Sequence, residues 1–404
     1  MGEAPMDHTA AGPGVLDGIR VVELASVVSG PFGGMMLAGL GADVVKVESV
    51  DGDVTRTWGP MHEGTSAYYF TLNGGKRSIA LDVRTPDGLR IARELIGRAD
   101  VVVENWRPGV AARLGLDWDE LRAESPGLVT LAIRGFGETG PYASDKVYDP
   151  VIQGVSGLAG SQADDRGPQL IHTVLPDKLA SMAMVQGVLG ALLERSRTGR
   201  GRHVQVNMLD VAVSFLWPDV MRNFTFADAD GRGHGPGKAL RTSSVFRAGD
   251  GRWVAYTTVS DADWKGMCDV AGRPDLFDTY RNMGKRAANV EAVSAQLTEA
   301  FAGRDRDTVL AELRAASVPS GPIHAPEDVL EDPQVAANDV IRDVLIDGYG
   351  RVREAASPVP LDPPGERRWV APAPRLGQHT DEILSELGHA PEVIERWRAQ
   401  GVVA

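Results

Sequence analysis

The chain has 404 residues, 43% hydrophobic and 24% charged, an ordinary balance for a globular protein long enough for two domains. Its net charge of −13 argues against nucleic acid or an anionic membrane as a general partner, so an anionic ligand needs a local basic pocket. The single cysteine, Cys268, excludes an intrachain disulfide and any multi-cysteine metal site and points to a reducing cytoplasm.

Residues 1–14, MGEAPMDHTAAGPG, are acidic, lack the apolar core of a secretory signal and read as a loose tail. Met6 stands where a myristoylation signal needs Ser or Thr. No run of about 18 uncharged apolar residues occurs, so no membrane span is expected.

The first part of the chain alternates strand and helix. Ile19–Leu24 reads as a strand, Ser29–Leu40 as a glycine-rich turn entering a helix, and Asp43–Glu48 as a second strand. Tyr68–Leu81 reads as extended segments around the Asn73-Gly74-Gly75 turn. Thr85 and Pro86 open a helix to about Arg98. Strands at Asp100–Glu104 and Leu128–Arg134 flank a short helix at Asp117–Glu124. This alternation predicts the α/β class, with a mostly parallel sheet covered on both faces.

The pattern changes near residue 220. A Gly- and Asp-rich linker, Asn223–Lys238, leads to a hairpin, Ser243–Arg247 and Trp253–Val259, turned by Gly249-Asp250-Gly251. Helices follow near Ala262–Ala271, Val290–Ala302 and Asp307–Ala316, and Cys268 falls in the first of them at a buried position. Residues 225–325 thus form a smaller α+β domain, and residues 15–220 and 335–404 the larger one. Residues 340–353 read as a further hairpin. Pro358–Pro374, with six prolines, reads as an extended connector, and Thr380 as the cap of a final helix.

The segment Gly167–Asp210 stands apart. Pro176 and Asp177 precede a nearly uncharged stretch, Leu179–Leu193, which as a helix is apolar all round and belongs inside the protein. Gly199 is placed to cap it. Asp177 then reads as the N-cap, its carboxylate facing unpaired N–H groups. Two roles stay open: a cap, or a fixed carboxylate available as a nucleophile. They pull against each other, because hydrogen bonds that stabilise the anion lower its basicity.

Several chemistries are set aside. None of the eight histidines falls in an H-x-H or H-x-x-x-H spacing suited to zinc. Gly154-Val155-Ser156-Gly157-Leu158 fails as a nucleophile elbow at its last position. Phe70 stands where a P-loop ending at Lys76 needs its first glycine. The turn Ser29-Gly30-Pro31-Phe32-Gly33-Gly34 has G-x-x-G-G spacing rather than the dinucleotide fingerprint, so a structural turn is favoured over a nicotinamide site. Lys46, Arg56, Lys76, Arg77, Arg107, Arg113 and Lys146 lie at predicted loop ends, either as solvated charges or converging on a phosphate-bearing ligand.

The ordered set LDGIRVVELASVVSGPFGGMMLAGLGADVVKVE, GDVTRTWGP, NGGKRSIALD, VVENWRPG, FGETGPY, YDPVIQGVSGL, TGRGRHVQVNMLD and LGQHTDEILSELG resembles the class III coenzyme A transferases, the CaiB/BaiF family. The resemblance runs from residue 16 to the C-terminal end. It implies a large Rossmann-like domain built from both chain ends, a small inserted domain and an interlocked homodimer. It also implies an acyl-CoA and a carboxylic acid as substrates, with no metal and no redox cofactor.

The family's catalytic aspartate falls on Asp177, which would carry an aspartyl-acyl anhydride and then an aspartyl-CoA thioester. CoA contacts in relatives fall on Lys76, Asn105, Trp106, Arg113 and Lys146, with Arg77 and Arg107 adjacent. Tyr148 and Trp58 match active-site aromatics of formyl-CoA transferase, and Val28 stands where that enzyme has a glutamine. Gly235, within GRGHGPGK, matches a glycine loop over the site in relatives. The family also includes α-methylacyl-CoA racemase, whose histidine base belongs where Tyr148 stands; a tyrosine of pKa about 10 is a poor base near neutral pH. A nucleotide-binding oxidoreductase and a non-catalytic CoA-binding module are the more distant alternatives.

Overall fold

The computed structural model describes residues 14–227, 243–359 and 370–404, so Gly235 and residues 228–238 of its linker lie outside the described residues. The chain divides into two units, one formed by Met1–Leu216 with Asn338–Ala404, the other by Trp217–Ala337.

The larger unit is built on six strands: β1 (Arg20–Glu23), β2 (Asp43–Glu48), β3 (Lys76–Ala80), β4 (Val101–Glu104), β5 (Val129–Arg134) and β6 (His203–Asn207). Their order is β3-β2-β1-β4-β5-β6, and every neighbouring pair is parallel. β4 and β5 are buried along their whole length, which is why they read as unbroken apolar runs. The strand order reverses between β1 and β4, so a crevice opens past their C-terminal ends, where doubly wound sheets bind ligands.

Alternate residues of each strand feed two apolar clusters. On one face Val22, Val45, Ile79 and Val102 pack with Ile383, Leu384, Trp397 and Val403. On the other, Val21, Val44, Val101 and Leu131 pack with Leu37, Ala180, Met184 and Val188. The C-terminal segment is tied into the sheet: Thr380 Oγ1 donates to the Ala404 carbonyl at 2.8 Å and accepts from Ala80 N–H at 3.3 Å. Thr380 is the first residue of helix Thr380–Glu386 rather than its cap, and a further helix, Pro391–Ala399, follows it.

Three helices start at the crevice, α1 (Ser29–Gly39), α3 (Asp149–Val155) and α4 (Leu175–Thr198), and a further one, α2 (Ala67–Asn73), packs against α1. α2 corrects the expectation of an extended segment. The Ser66 hydroxyl accepts from Tyr69 N–H and starts a helix that strand-favouring aromatic residues do not announce. The glycines of α1 are there for packing. A Cβ on Gly30 would lie 2.1 Å from Ala25 Cβ, and one on Gly33 2.5 Å from Met184 Sδ. Glu48, at the end of β2, is buried in an ion pair with Arg56 at 2.6 Å.

α4 begins two residues before Asp177, with Val174 as N-cap, and ends at Gly199 in the left-handed conformation. Ala180, Met184 and Val188 are buried, but Met182, Leu189 and Leu193 are exposed. The helix therefore lies on the sheet with one apolar face open, instead of being enclosed on all sides.

The smaller unit holds a three-stranded antiparallel sheet of Ser243–Arg247, Trp253–Thr257 and Ser320–Pro322. Phe246 and Val254 of the sheet pack with Trp264, Leu297, Phe301 and Leu313 of its helices. Cys268 is buried there, and burial pushes its thiol up to about 12.

Candidate active site

The C-terminal ends of β1, β4 and β5 border a cleft of about 200 Å³, lined among others by Ser26, Ser29, Asn105, Trp106, Lys146, Tyr148 and Asp177. Asp177 is the third residue of α4 and half-buried. It is not the helix cap, which corrects the sequence expectation. Its own backbone N–H donates to Asp149 Oδ2 at 3.0 Å, and its carboxylate takes a hydrogen bond from the Ser29 hydroxyl. Burial first, then the negative charge of Asp149, push the Asp177 carboxyl up to about 7, against the Ser29 hydrogen bond. An anion supported so sparsely stays basic, so the conflict between capping and nucleophilicity does not arise.

Asn105 grips the loop after β1 with both ends of its amide: Oδ1 accepts from Ser26 N–H at 3.0 Å and Nδ2 donates to Ser26 O at 2.7 Å. Trp106 is held by its backbone, its N–H on Glu104 Oε2 at 2.6 Å and its carbonyl on Arg134 Nη1 at 2.9 Å. Arg134 in turn pairs with Glu104 at 2.8 Å. Tyr148 is 55% exposed at the N-cap of α3, with Lys146 Nζ 5.6 Å from its ring centroid. Arg107 lines the same cleft. Gly135 makes room for this wall, since a Cβ there would lie 2.0 Å from Val147 Cγ1.

Other expected contacts fall elsewhere. Lys76 is buried, with Nζ on Glu23 at 2.8 Å, the Pro31 carbonyl at 2.8 Å and Asn73 Oδ1 at 2.8 Å. An ammonium so enclosed offers nothing to a phosphate. Arg77 sits at the N-terminal end of β3, bonded to Asp43, Glu382 and Glu386, at the opposite end of the sheet from the cleft. Both depart from the expected CoA contacts, because their partners are acidic groups remote in sequence. Val28 is buried and does not line the cleft. Arg113 is exposed beside Leu114, which lines a second cleft.

Trp58 stands against Tyr68, ring centroids 5.4 Å apart. Burial and the charges of Asp177 and Asp149 raise the Tyr68 hydroxyl above its ordinary value, which places this α2 residue near both carboxylates. The sequence reading missed Tyr68 because it put that segment in a strand; the aromatic run Tyr68-Tyr69-Phe70 just after Trp58 was the available signal.

The second cleft, about 430 Å³, shares Ser26 and Trp106 with the first and runs on past Ser49, Gly52, Val83, Arg84 and Val110. Arg84 is exposed there and bonded to Asp82 at 2.8 Å. The two clefts meet at Ser26 and Trp106, beside the switch point of the sheet.

The sequence pattern of CoA-transferase family III matches residues 16–380. The chain belongs to CoA-transferase family III. This family III transferase is 34% identical over 393 residues to the succinate–glutarate CoA-transferase of Agrobacterium fabrum, covering 94% of this chain and 96% of that one. It is 33% identical to the formyl-CoA:oxalate CoA-transferase of Streptomyces avermitilis, covering 96% and 99%. It is 35% identical to the acetyl-CoA:oxalate CoA-transferase of Acetobacter aceti, with the same coverage. Among solved structures, a CaiB/BaiF family protein from Brucella suis superposes with a TM-score of 0.80 at 34% identity, covering 93% of this chain and all of that one. In the family III transferase no helix among the described residues is long and apolar enough to cross a membrane.

Proposed function

We propose that the enzyme moves CoA from an acyl-CoA thioester to a carboxylic acid, with Asp177 as the covalent carrier. The observation that carries this reading is the Asp177 carboxylate, fixed on the rigid start of α4 in the cleft and raised to about 7 by burial and Asp149.

An oxygen of the Asp177 carboxylate bonds to the thioester carbonyl carbon, and the C–S bond breaks to release CoA thiolate. The thiolate attacks the Asp177 carbonyl of the mixed anhydride, and the donor acid leaves as its carboxylate. The acceptor carboxylate then attacks the aspartyl thioester, displacing thiolate. That thiolate attacks the acceptor carbonyl of the second anhydride, which frees the Asp177 carboxylate. One thioester is exchanged for another, so no ATP is needed; the site must only keep water from the anhydrides.

A cleft of about 200 Å³ holds the acyl and thioester end, not a whole CoA. The pantetheine arm passes Ser26 and Trp106 into the second cleft, with Arg107 and Lys146 near the first and Arg84 in the second. The names of the relatives favour short dicarboxylic acids. The open apolar face of α4, with Met182, Leu189 and Leu193, favours a second copy covering it in a cytoplasmic homodimer.

The test pairs succinyl-, acetyl- and propionyl-CoA with a panel of acids, reads products by mass spectrometry, and traps turnover with hydroxylamine before peptide mapping. New thioesters with the label on Asp177 are expected. Exchange without that label, or α-deuterium uptake by a 2-methylacyl-CoA without any acceptor, overturns the reading.

A further inference from the structure

A second carboxylate stands behind the nucleophile. Asp149 is the first residue of α3 and only 2% exposed. Its Oδ2 accepts the Asp177 backbone N–H at 3.0 Å, and its Oδ1 accepts from Gln153 Nε2 at 2.7 Å. Gln153, one turn further along α3 and equally buried, accepts Ile171 N–H at 2.9 Å and donates to the Thr173 carbonyl at 3.2 Å. The two side chains therefore hold both the segment entering α4 and its first turn. Lys178, next to Asp177, turns away to Thr173 Oγ1 at 2.8 Å.

We propose that Asp149 is a positioning residue for the transfer: it clamps the Asp177 backbone and sets a fixed negative charge beside the attacking carboxylate. The proposal rests on Asp177 being the nucleophile and assigns Asp149 no contact with substrate.

The two carboxylates are unequally supported. Asp149 receives two N–H donors, whereas the Asp177 carboxylate receives one hydroxyl, from Ser29. As the pair loses protons, the better-supported Asp149 ionises first, and its charge makes the second ionisation harder. Asp177 is then scarcer as an anion at acid pH but more electron-donating once formed.

The other groups around Asp177 do not reverse this. α1 offers only Ser29, and α2 offers Tyr68, whose hydroxyl is raised and neutral. α4 offers Lys178, whose charge acts on Asp149. Tyr148, Arg107 and Lys146 stand on the cleft walls.

Asp149→Asn keeps one oxygen for the Asp177 N–H and removes the charge, at the loss of the hydrogen bond from Gln153 Nε2. In single-turnover acylation by acyl-CoA, the acid limb of the pH–rate profile is expected to move down by about one pH unit. The plateau rate is expected to fall about three- to tenfold. A limb that does not move, with hydroxylamine still labelling Asp177, overturns the role of Asp149 and leaves the nucleophile intact. Native enzyme that exchanges CoA without label on Asp177 overturns the nucleophile itself.

A second measurement does not depend on the variant folding. In native protein carrying carboxyl-13C aspartate, the Asp177 resonance is assigned by its loss in Asp177→Asn. It should titrate near neutrality in two coupled steps shared with a second carboxyl. A single titration in the ordinary carboxylate range overturns the proposal.

Discussion

Ser181 Oγ donates to the Ser29 carbonyl at 2.7 Å, joining α4 one turn beyond Asp177 to the residue whose hydroxyl meets the Asp177 carboxylate. The position of the Asp177 carboxylate thus depends on how closely α1 lies on α4. Gly30→Ala would place a methyl 2.1 Å from Ala25 Cβ, and neither side can bend away. The expected outcome is a loss of about 1–3 kcal/mol in urea unfolding. A drop in kcat of about tenfold or more should accompany it, as Ser29 shifts from Asp177.

Asp177 costs the fold stability at neutral pH. A carboxyl whose folded pKa is raised above its unfolded value of 3.8 to about 7 stabilises the fold fully only below about pH 4. That contribution is lost as pH rises through 7. Asp177→Asn should abolish CoA exchange yet raise stability by about 2–4 kcal/mol at pH 8. The gain should vanish near pH 4, which calorimetry at the two pH values checks.

Beneath the crevice lies a cluster of buried charge. Glu23 stands between Lys46 at 3.1 Å and Lys76 at 2.8 Å, and Lys46 also meets Asp53 at 3.1 Å, all essentially unexposed. Asp53 in turn accepts Val27 N–H at 3.3 Å, where Val27 is held at a φ of 70°. Glu23→Ala would leave two ammonium groups short of a partner, at a cost of about 3–5 kcal/mol. Denaturant melts of Glu23→Ala and Glu23→Gln should rank the alanine variant lower.

Arg107 and Lys146 should act through the charge of the ligand rather than through the chemistry. Alanine at either position is expected to raise KM for acyl-CoA by about tenfold, near 1.4 kcal/mol. kcat should change little, and the KM penalty should shrink with added salt. Steady-state kinetics at two ionic strengths give both readings.

The apolar face of α4 yields an assembly test. Met182 is 57% and Leu193 56% exposed in the single chain. Met182→Glu should shift sedimentation from dimer to monomer without changing the circular dichroism of the chain. A dimer that survives both Met182→Glu and Leu193→Glu would place the contact elsewhere.

What was legible in the sequence follows from where each element is buried. β2, β4 and β5 are covered on both faces, so their apolar runs marked them almost to the residue. α2 escaped because a single hydroxyl, Ser66, decides its start. Asp177 was found at the right helix end, but its relation to that end was reversed: it is the third helical residue, with its N–H bound by Asp149 from 28 positions away. The same distance problem misplaced Lys76, whose partner Glu23 lies 53 positions earlier. A charge inside a sheet is recognised by what surrounds it, and chain order does not reveal that neighbourhood.

The stitching of residues 380–404 against β3 bears on how the chain folds as it is made. Ile383, Trp397 and Val403 belong to the same apolar cluster as Val22 and Val45. That core stays open until translation has delivered them through the ribosomal exit tunnel. The inserted unit draws its core from residues 246–318 and can close while the sheet of the larger unit still waits for helix Pro391–Ala399. Premature termination shortly before Ile383 would then release a nascent chain with the smaller unit finished and the larger one unsealed, a natural client for chaperones.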